Sequence, residues 1–210
     1  MIYRSFGQTG KKISAISCGG MSFEDIDDAD LCAELLNYAY DKGINYFDTA
    51  PVYFDGKSEQ RFGLAFKEMK KHASKKPFYV ATKSTGATPS DVRRDLETSL
   101  ERMGLDHIDF FHVWWVVKPE WYHDRKSKGG IAEFTKIKEE GLAKHIVLSS
   151  HMTGDEMIPI LNDYPFEGTL LGYSAANAPF REKRLQAASD KGLGVVVMNP
   201  LNGGLIPKNP

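Results

Sequence analysis

Along the chain, short runs of β-branched and aromatic residues alternate with longer segments in which apolar residues recur at helical spacing. Seven of these runs predict β-strands, at residues 13–20, 45–48, 78–83, 108–113, 146–149, 169–175 and 195–198. Six helical segments lie between them, at residues 28–42, 58–71, 90–103, 131–140, 155–162 and 181–191. Residues 1–12 predict a polar hairpin, and residues 200–207 predict a loop.

The helix predicted first has Leu31, Leu35 and Ala39 in register, which predicts one apolar face. Asp27 or Asp28 can cap its start, and Gly43 ends it. In the third helix Ser90 is the predicted N-cap, and Val92, Leu96, Leu100 and Met103 share a face. Capped amphipathic helices of this kind are expected to pack on a sheet.

Strict alternation of strands and helices predicts parallel strands joined by crossover helices. A doubly wound sheet and a (β/α)₈ TIM barrel both satisfy that rule. The barrel is favoured because no Gly-x-Gly-x-x-Gly follows the first strand and because Asp48, Lys83 and Ser149 end three different strands. Such a barrel runs to about 250 residues, so residues 1–210 predict a single barrel domain that lacks its eighth strand.

Composition narrows the class of protein further. A net charge of −1, with no block of like charges, gives no basis for binding nucleic acid or an anionic membrane. The two cysteines, Cys18 and Cys32, lie in apolar segments and are expected to be buried thiols. With no apolar run of about 18 residues and no leader-like start, the sequence predicts a cytoplasmic protein.

Asp48, Tyr53 and Lys83 form the strongest chemical pattern in the chain. Parallel strands two and three end at the same edge, so Asp48 and Lys83 are expected to be neighbours, with Tyr53 brought over them by a short turn. An ammonium beside a tyrosine stabilises the phenolate and lowers its pKa, which suits a tyrosine that protonates a carbonyl oxygen. The alternative for each residue is structural: a capping aspartate, an exposed lysine and a core tyrosine.

Five segments together resemble the aldo-keto reductase family over essentially the whole chain. They are residues 3–10 (YRSFGQTG), residues 47–53 (FDTAPVY), Ser58-Glu59, residues 81–83 (ATK) and residues 200–205 (PLNGGL). The resemblance implies an NADP(H)-dependent oxidoreductase that acts on a small carbonyl compound, with Tyr53 as general acid tuned by Lys83 and Asp48. It is nearest to the branch whose longer members carry an iron–sulphur domain, which needs four cysteines.

One position departs from the family pattern. In the aldo-keto reductase family the fourth catalytic residue is a histidine near the end of strand four. Trp114 occupies that position in this sequence. His112 lies two residues earlier, on the same face of the strand. Either His112 acts on the substrate oxygen from deeper in the barrel, or Trp114 shapes the pocket and the histidine role is lost. Trp114 and Trp115 are the predicted substrate-pocket residues, in an aromatic cluster that continues to Trp121 and Tyr122.

The resemblance also implies a nicotinamide site. Its predicted cofactor-binding residues follow several strands: Gly20, Met21 and Ser22, Asp48, Ser149 and Ser150, Tyr173 as the stacking aromatic, and Leu201, Gly203 and Gly204 for the pyrophosphate. The resemblance places the basic segment that holds the 2′-phosphate after strand eight. Residues 1–210 do not include that segment, so the chain as given is expected to bind NADP(H) weakly or not at all.

Two other functions fit parts of the pattern. Trp114 in the histidine position and the missing strand favour a non-catalytic binding or regulatory module built on the same barrel. A barrel isomerase or lyase could use Lys83 as a Schiff base, although Asp48 and Tyr53 argue against it. His72, His107, His123 and His145 lack the spacing of metal ligands, and the oligomeric state is left open.

Overall fold

The computed structural model describes residues 1–208. Nine strands and eight helices follow one another in the order β1, β2, β3, α1, β4, α2, β5, α3, β6, α4, α5, β7, α6, β8, α7, β9, α8. The strands are β1 Tyr3–Ser5, β2 Lys12–Ser14, β3 Cys18–Gly19, β4 Tyr46–Asp48, β5 Tyr79–Ser84, β6 Ile108–Val116, β7 Ala143–Ser150, β8 Gly168–Gly172 and β9 Gly194–Met198. The helices are α1 Ala29–Asp41, α2 Lys57–Met69, α3 Pro89–Met103, α4 Pro119–Ser127, α5 Gly130–Glu139, α6 Gly154–Asp163, α7 Ala178–Asp190 and α8 Leu205–Lys208.

Strands β3 to β9 form one sheet in the order of the sequence, and every neighbouring pair is parallel. This is the predicted barrel of the (β/α)₈ type with seven strands, open between β3 and β9. The predicted N-terminal hairpin is also present, as β1 paired antiparallel with β2.

Several predicted boundaries are wrong. The segment 13–20 is divided, because Ile13 pairs with Arg4 in the hairpin and only Cys18–Gly19 joins the barrel sheet. Asn45 fixes this division: its Oδ1 accepts the Ser14 N–H at 2.7 Å. Thr88, rather than Ser90, caps α3. Helix α4, which lies between β6 and α5, was not predicted. Residues 202–208 are helical, whereas a loop was predicted there.

The lower part of the barrel interior is filled by one apolar cluster: Phe6, Ile13, Tyr46, Ala81, Phe110, Val147, Leu170 and Val196. Phe6 comes from the hairpin and contacts Phe110 at 4.5 Å between ring centroids. A Cβ on Gly168 or Gly194 would lie 2.3–2.4 Å from its ring, so both strands need glycine there. Since side chains alternate along a strand, this cluster identifies which residues further up face inward.

Candidate active site

Asp48 and Lys83 meet at the carboxyl ends of β4 and β5, as predicted. Lys83 Nζ lies 2.5 Å from Asp48 Oδ1 and also donates to the Thr49 carbonyl. The lysine side chain is 1% exposed. Burial raises the pKa of Asp48 more than the attraction of Lys83 lowers it. The result is a desolvated ion pair inside the barrel mouth, a setting in which electrostatic interactions are strong.

Tyr53 lies over this pair, at the start of a short 3₁₀ turn, Tyr53–Gly56. Lys83 Nζ is 5.0 Å from the centroid of its ring. Burial raises the pKa of Tyr53, and the attraction of Lys83, which lowers it, only partly offsets that effect. The sequence predicted a lowered pKa for Tyr53, because that prediction took account only of the ammonium. The pKa is raised instead. Tyr53 therefore keeps its proton at neutral pH.

A buried network holds the turn that carries Tyr53. Glu59 is 0% exposed; its Oε1 accepts from Thr82 and Ser99, and its Oε2 lies 3.1 Å from Arg102 Nη1. Arg102 also donates to the carbonyl of Pro51 at 3.0 Å. Glu59 was part of the Ser58-Glu59 match to the family, but no role was predicted for it. An acid in line with Phe62 and Phe66, on the apolar face of α2, is the signal that could have identified it.

The beginning of α2 is held to β3 by hydroxyl groups. Ser58 Oγ donates to the carbonyl of Gly20 at 2.8 Å and lies 2.8 Å from Thr49 Oγ1. A Cβ on Gly20 would lie 2.3 Å from Ser58 Oγ, so glycine is required here by helix packing. Met21 and Ser22, which follow, are exposed at the rim.

His112 and Trp114 both face inward from β6, on the same side as Phe110. His112 pairs with Lys83 across the strands, is 0% exposed, and has no hydrogen-bond partner for either ring nitrogen within residues 1–208. Burial, with the nearby Lys83, holds its pKa well below the usual range, so the imidazole is neutral. Trp114 lies higher in the barrel and packs edge-on against Tyr53, with 5.7 Å between ring centroids.

The pairing of β6 with β7 is irregular between Val113 and Val116, and Trp115 there adopts a φ of +58°. Arg125 of α4 donates to the carbonyl of Trp114 and so fixes this segment. Trp115 is 47% exposed and contacts Trp114. Tyr122, expected in the same aromatic cluster, is instead buried and donates to Asp163 at 2.7 Å.

The residues predicted to bind the cofactor after β7 and β8 differ in whether they face the barrel interior. Ser149 faces inward with Val147, whereas Ser150 faces outward and accepts the Met152 N–H at 3.0 Å. The nicotinamide role predicted for Ser150 stays a prediction. Tyr173 lies one residue beyond the end of β8, and its N–H donates to the Met198 carbonyl.

Leu201, Gly203 and Gly204 lie after β9, beside the open side of the barrel. Leu201 is 56% exposed. Both glycines have positive φ, and a Cβ built on either would meet nothing within 4 Å. Their backbone is thus open to a close approach by a phosphate group. These residues, with inward-facing Ser149 and Asp48, could hold a nicotinamide dinucleotide.

Within residues 1–208, no group of three or more His, Cys, Asp or Glu side chains is placed to hold a metal ion. No helix in the same residues is both long enough and apolar enough to cross a membrane. Cys32 is buried and Cys18 is half-buried, both as free thiols.

Known proteins match this chain along most of its length. L-galactose dehydrogenase of Arabidopsis thaliana is 29% identical over 218 residues, which cover 97% of this chain and 66% of that protein. NADH-specific methylglyoxal reductase of Escherichia coli K12 is 24% identical, with 90% and 62% covered. The chain therefore spans about two thirds of the length of these relatives.

The fold is shared with solved structures. An aldo-keto reductase from Bacillus halodurans, in its holo form, superposes with a TM-score of 0.83 at 22% identity, covering 100% of this chain and 70% of that one. The sequence model of the aldo/keto reductase family matches residues 15–209. Since that match includes nearly all of the chain, this protein belongs to the aldo/keto reductase family of oxidoreductases.

Proposed function

We propose that this chain takes part in the NAD(P)H-dependent reduction of an aldehyde or ketone to an alcohol, with Tyr53 as the general acid. The observation that carries the proposal is the contact of Tyr53 with the buried Asp48–Lys83 pair. Reduction places negative charge on the carbonyl oxygen, and a protonated group must meet it there. Tyr53 carries its proton at neutral pH and lies at the mouth, whereas Lys83 is sealed beneath it.

Lys83 and Asp48 prepare Tyr53 for this step. As the proton leaves Tyr53, the ammonium of Lys83 stabilises the phenolate that remains. Asp48 and the Thr49 carbonyl hold the ammonium in place, so it need not reorganise during the reaction. A nicotinamide, when bound, supplies the hydride for the carbonyl carbon. The open backbone at Gly203 and Gly204 and inward-facing Ser149 support its binding along the rim.

Burial favours Trp114 over His112 as the neighbour of the reacting oxygen. Trp114 packs directly on Tyr53, whereas His112 is fully enclosed at the level of Lys83. We therefore propose that Trp114 forms the apolar wall that excludes water beside Tyr53, with Trp115 at its exposed edge. His112 then acts only as a neutral neighbour of Lys83.

The proposal is tested by measuring NADPH and NADH binding through protein fluorescence, and by assaying reduction of an activated aromatic aldehyde. We expect binding of at least one dinucleotide. Tyr53→Phe should lower kcat by about 10²- to 10⁴-fold, the usual contribution of a general acid, with little change in dinucleotide affinity. Tyr38→Phe, at an exposed site on α1, is the control. Dinucleotide binding without Tyr53-dependent reduction would instead support the non-catalytic module.

The same assay separates the two possibilities for the fourth position. We expect His112→Leu to retain kcat within about threefold, since a neutral, enclosed imidazole does not reach the substrate. If His112→Leu lowers kcat as much as Tyr53→Phe does, with an unchanged melting temperature, His112 is a catalytic residue.

A further inference from the structure

Two arginines of α7 converge on one carbonyl oxygen at the end of β8. Arg184 is 1% exposed; it donates Nη2 to the Gly172 carbonyl at 2.9 Å and Nη1 to the Met152 carbonyl at 2.8 Å. Arg181 Nη1 lies 3.5 Å from the same Gly172 oxygen. Two like charges are thereby held close together, which costs free energy unless an opposite charge is near.

That opposite charge is missing from residues 1–208. No carboxylate there forms an ion pair with Arg181 or Arg184, and Lys183 between them is paired with Asp155. The Nε of Arg184 is buried with no hydrogen-bond partner in the same residues. Burial, and secondarily the charge of Arg181, lowers the pKa of Arg184 to about 10. His151 lies near enough that both arginines lower its pKa, after burial.

The uncompensated charge faces the barrel mouth. Gly172 faces inward, two residues beyond Leu170 of the interior cluster, and a Cβ built on it would lie 3.3 Å from Arg181 Nη1. The guanidinium of Arg181 thus lies in close contact with the inward side of Gly172, at the upper end of β8. Arg181 is half-buried and His151 is exposed, so solutes can reach both.

We propose that Arg181, braced by Arg184 and flanked by His151, binds the carboxylate or phosphate group of a small molecule held in the barrel mouth. A guanidinium matches either group through two parallel hydrogen bonds, and the desolvated Arg184 adds positive potential behind it. The inference rests on the proposed function and names its substrate class: carbonyl compounds that carry an anionic group. The other source of the same chemistry is a phosphate of the dinucleotide.

The first test needs no catalysis. The full chain is titrated with malonate and with inorganic phosphate at constant ionic strength, and binding is followed by ¹H–¹⁵N NMR. We expect saturable shifts for residues near Gly172, and at least about tenfold weaker binding by Arg181→Gln, as for the loss of a hydrogen bond to a charged group. The exposed Lys183→Gln variant is the control and should bind normally. Unsaturable shifts, or equal binding by Arg181→Gln, overturn the site.

The second test separates the two sources. With an aldehyde that carries a carboxylate, Arg181→Gln should raise KM at least about tenfold, while KM for the methyl ester of that aldehyde stays unchanged. A weaker Kd for NADPH with an unchanged ratio of the two KM values assigns the anion to the dinucleotide and refutes the substrate class. If the wild type reduces neither aldehyde, the proposed reduction fails, and the NMR titration still decides whether the anion site exists.

Discussion

At the scale of residues, the protonation of Tyr53 decides what the site can do. Its ring lies 5.0 Å from Lys83 Nζ, yet burial outweighs that charge and raises the pKa of the phenol. An unpaired tyrosine titrates near pH 10, so here the proton is retained above that value. A general acid is active while protonated, and activity in the reductive direction should therefore persist into the alkaline range.

The raised pKa of Tyr53 predicts how aldehyde reduction depends on pH. The value of kcat/KM for aldehyde reduction should stay level from about pH 6 to about pH 9 and fall only as Tyr53 loses its proton. Lys83→Met should lower the plateau, because the phenolate left behind is no longer stabilised. The measurement is steady-state reduction across pH, corrected for cofactor stability. A decline that follows a single ionisation near pH 7 would contradict the assignment.

The closeness of Asp48, Lys83 and Tyr53 was predictable because simple geometry fixes it. Parallel strands end at one edge, which brings Asp48 to Lys83, and a turn of four residues cannot carry Tyr53 far away. The upward shifts in the pKa of Asp48 and of Tyr53 were not predictable, since the depth of burial depends on Trp114 and on the turn above. The convergence of Arg181 on Gly172 was equally hidden, because it depends on the angle at which α7 crosses the end of β8.

At the scale of elements, the hydrophobic pattern of α1 does not decide which face of the helix is buried. Leu31, Leu35 and Ala39 were expected to form its apolar face, but Leu31 and Leu35 are each 53% exposed. The buried face is Cys32, Leu36 and Tyr40, one residue further along. Both stripes are apolar and follow the same spacing. Only the position of α1 against α2 and the sheet decides between them, and local sequence does not contain that information.

The two stripes of α1 provide a matched pair of mutations. Leu36→Ala should lower the free energy of unfolding by about 2–5 kcal/mol, the cost of truncating a fully buried leucine. Leu35→Ala, with the same change in side chain at an exposed site, should alter it by less than about 0.5 kcal/mol. Urea denaturation followed by circular dichroism measures both. Equal losses from the two variants would show that the outer stripe is also covered in solution.

At the scale of the whole molecule, the barrel is filled with apolar side chains below, carries the candidate site above and is open on one side. Phe6 and its neighbours close the bottom, and the mouth carries Tyr53 on one side and Arg181 on the other. Between β9 and β3 the sheet has two edges without a further strand among residues 1–208. The glycines predicted to hold the pyrophosphate follow β9, so the open side adjoins the predicted cofactor site.

An unpaired edge is a template for pairing with another chain. Strand β9 is the longer of the two edges, and Val195 and Val197 on it are half-buried. We expect this 210-residue chain to self-associate as its concentration rises, with β9 as the contact. Val197→Lys should suppress association, because a charged side chain on an edge strand opposes pairing without breaking its bonds to β8.

Sedimentation velocity over a wide concentration range measures this association. Gln60→Lys, which adds the same charge at an exposed site on α2, is the control. The wild type and the control should shift together toward larger species, while Val197→Lys stays monomeric with an unchanged melting temperature. A wild-type chain that remains monomeric throughout would show that β9 is already shielded, and equal association of Val197→Lys would place the contact elsewhere. If the dinucleotide binds at the predicted site beside the open side, pairing through β9 should also weaken NADPH binding at high protein concentration. Val197→Lys should remove that dependence.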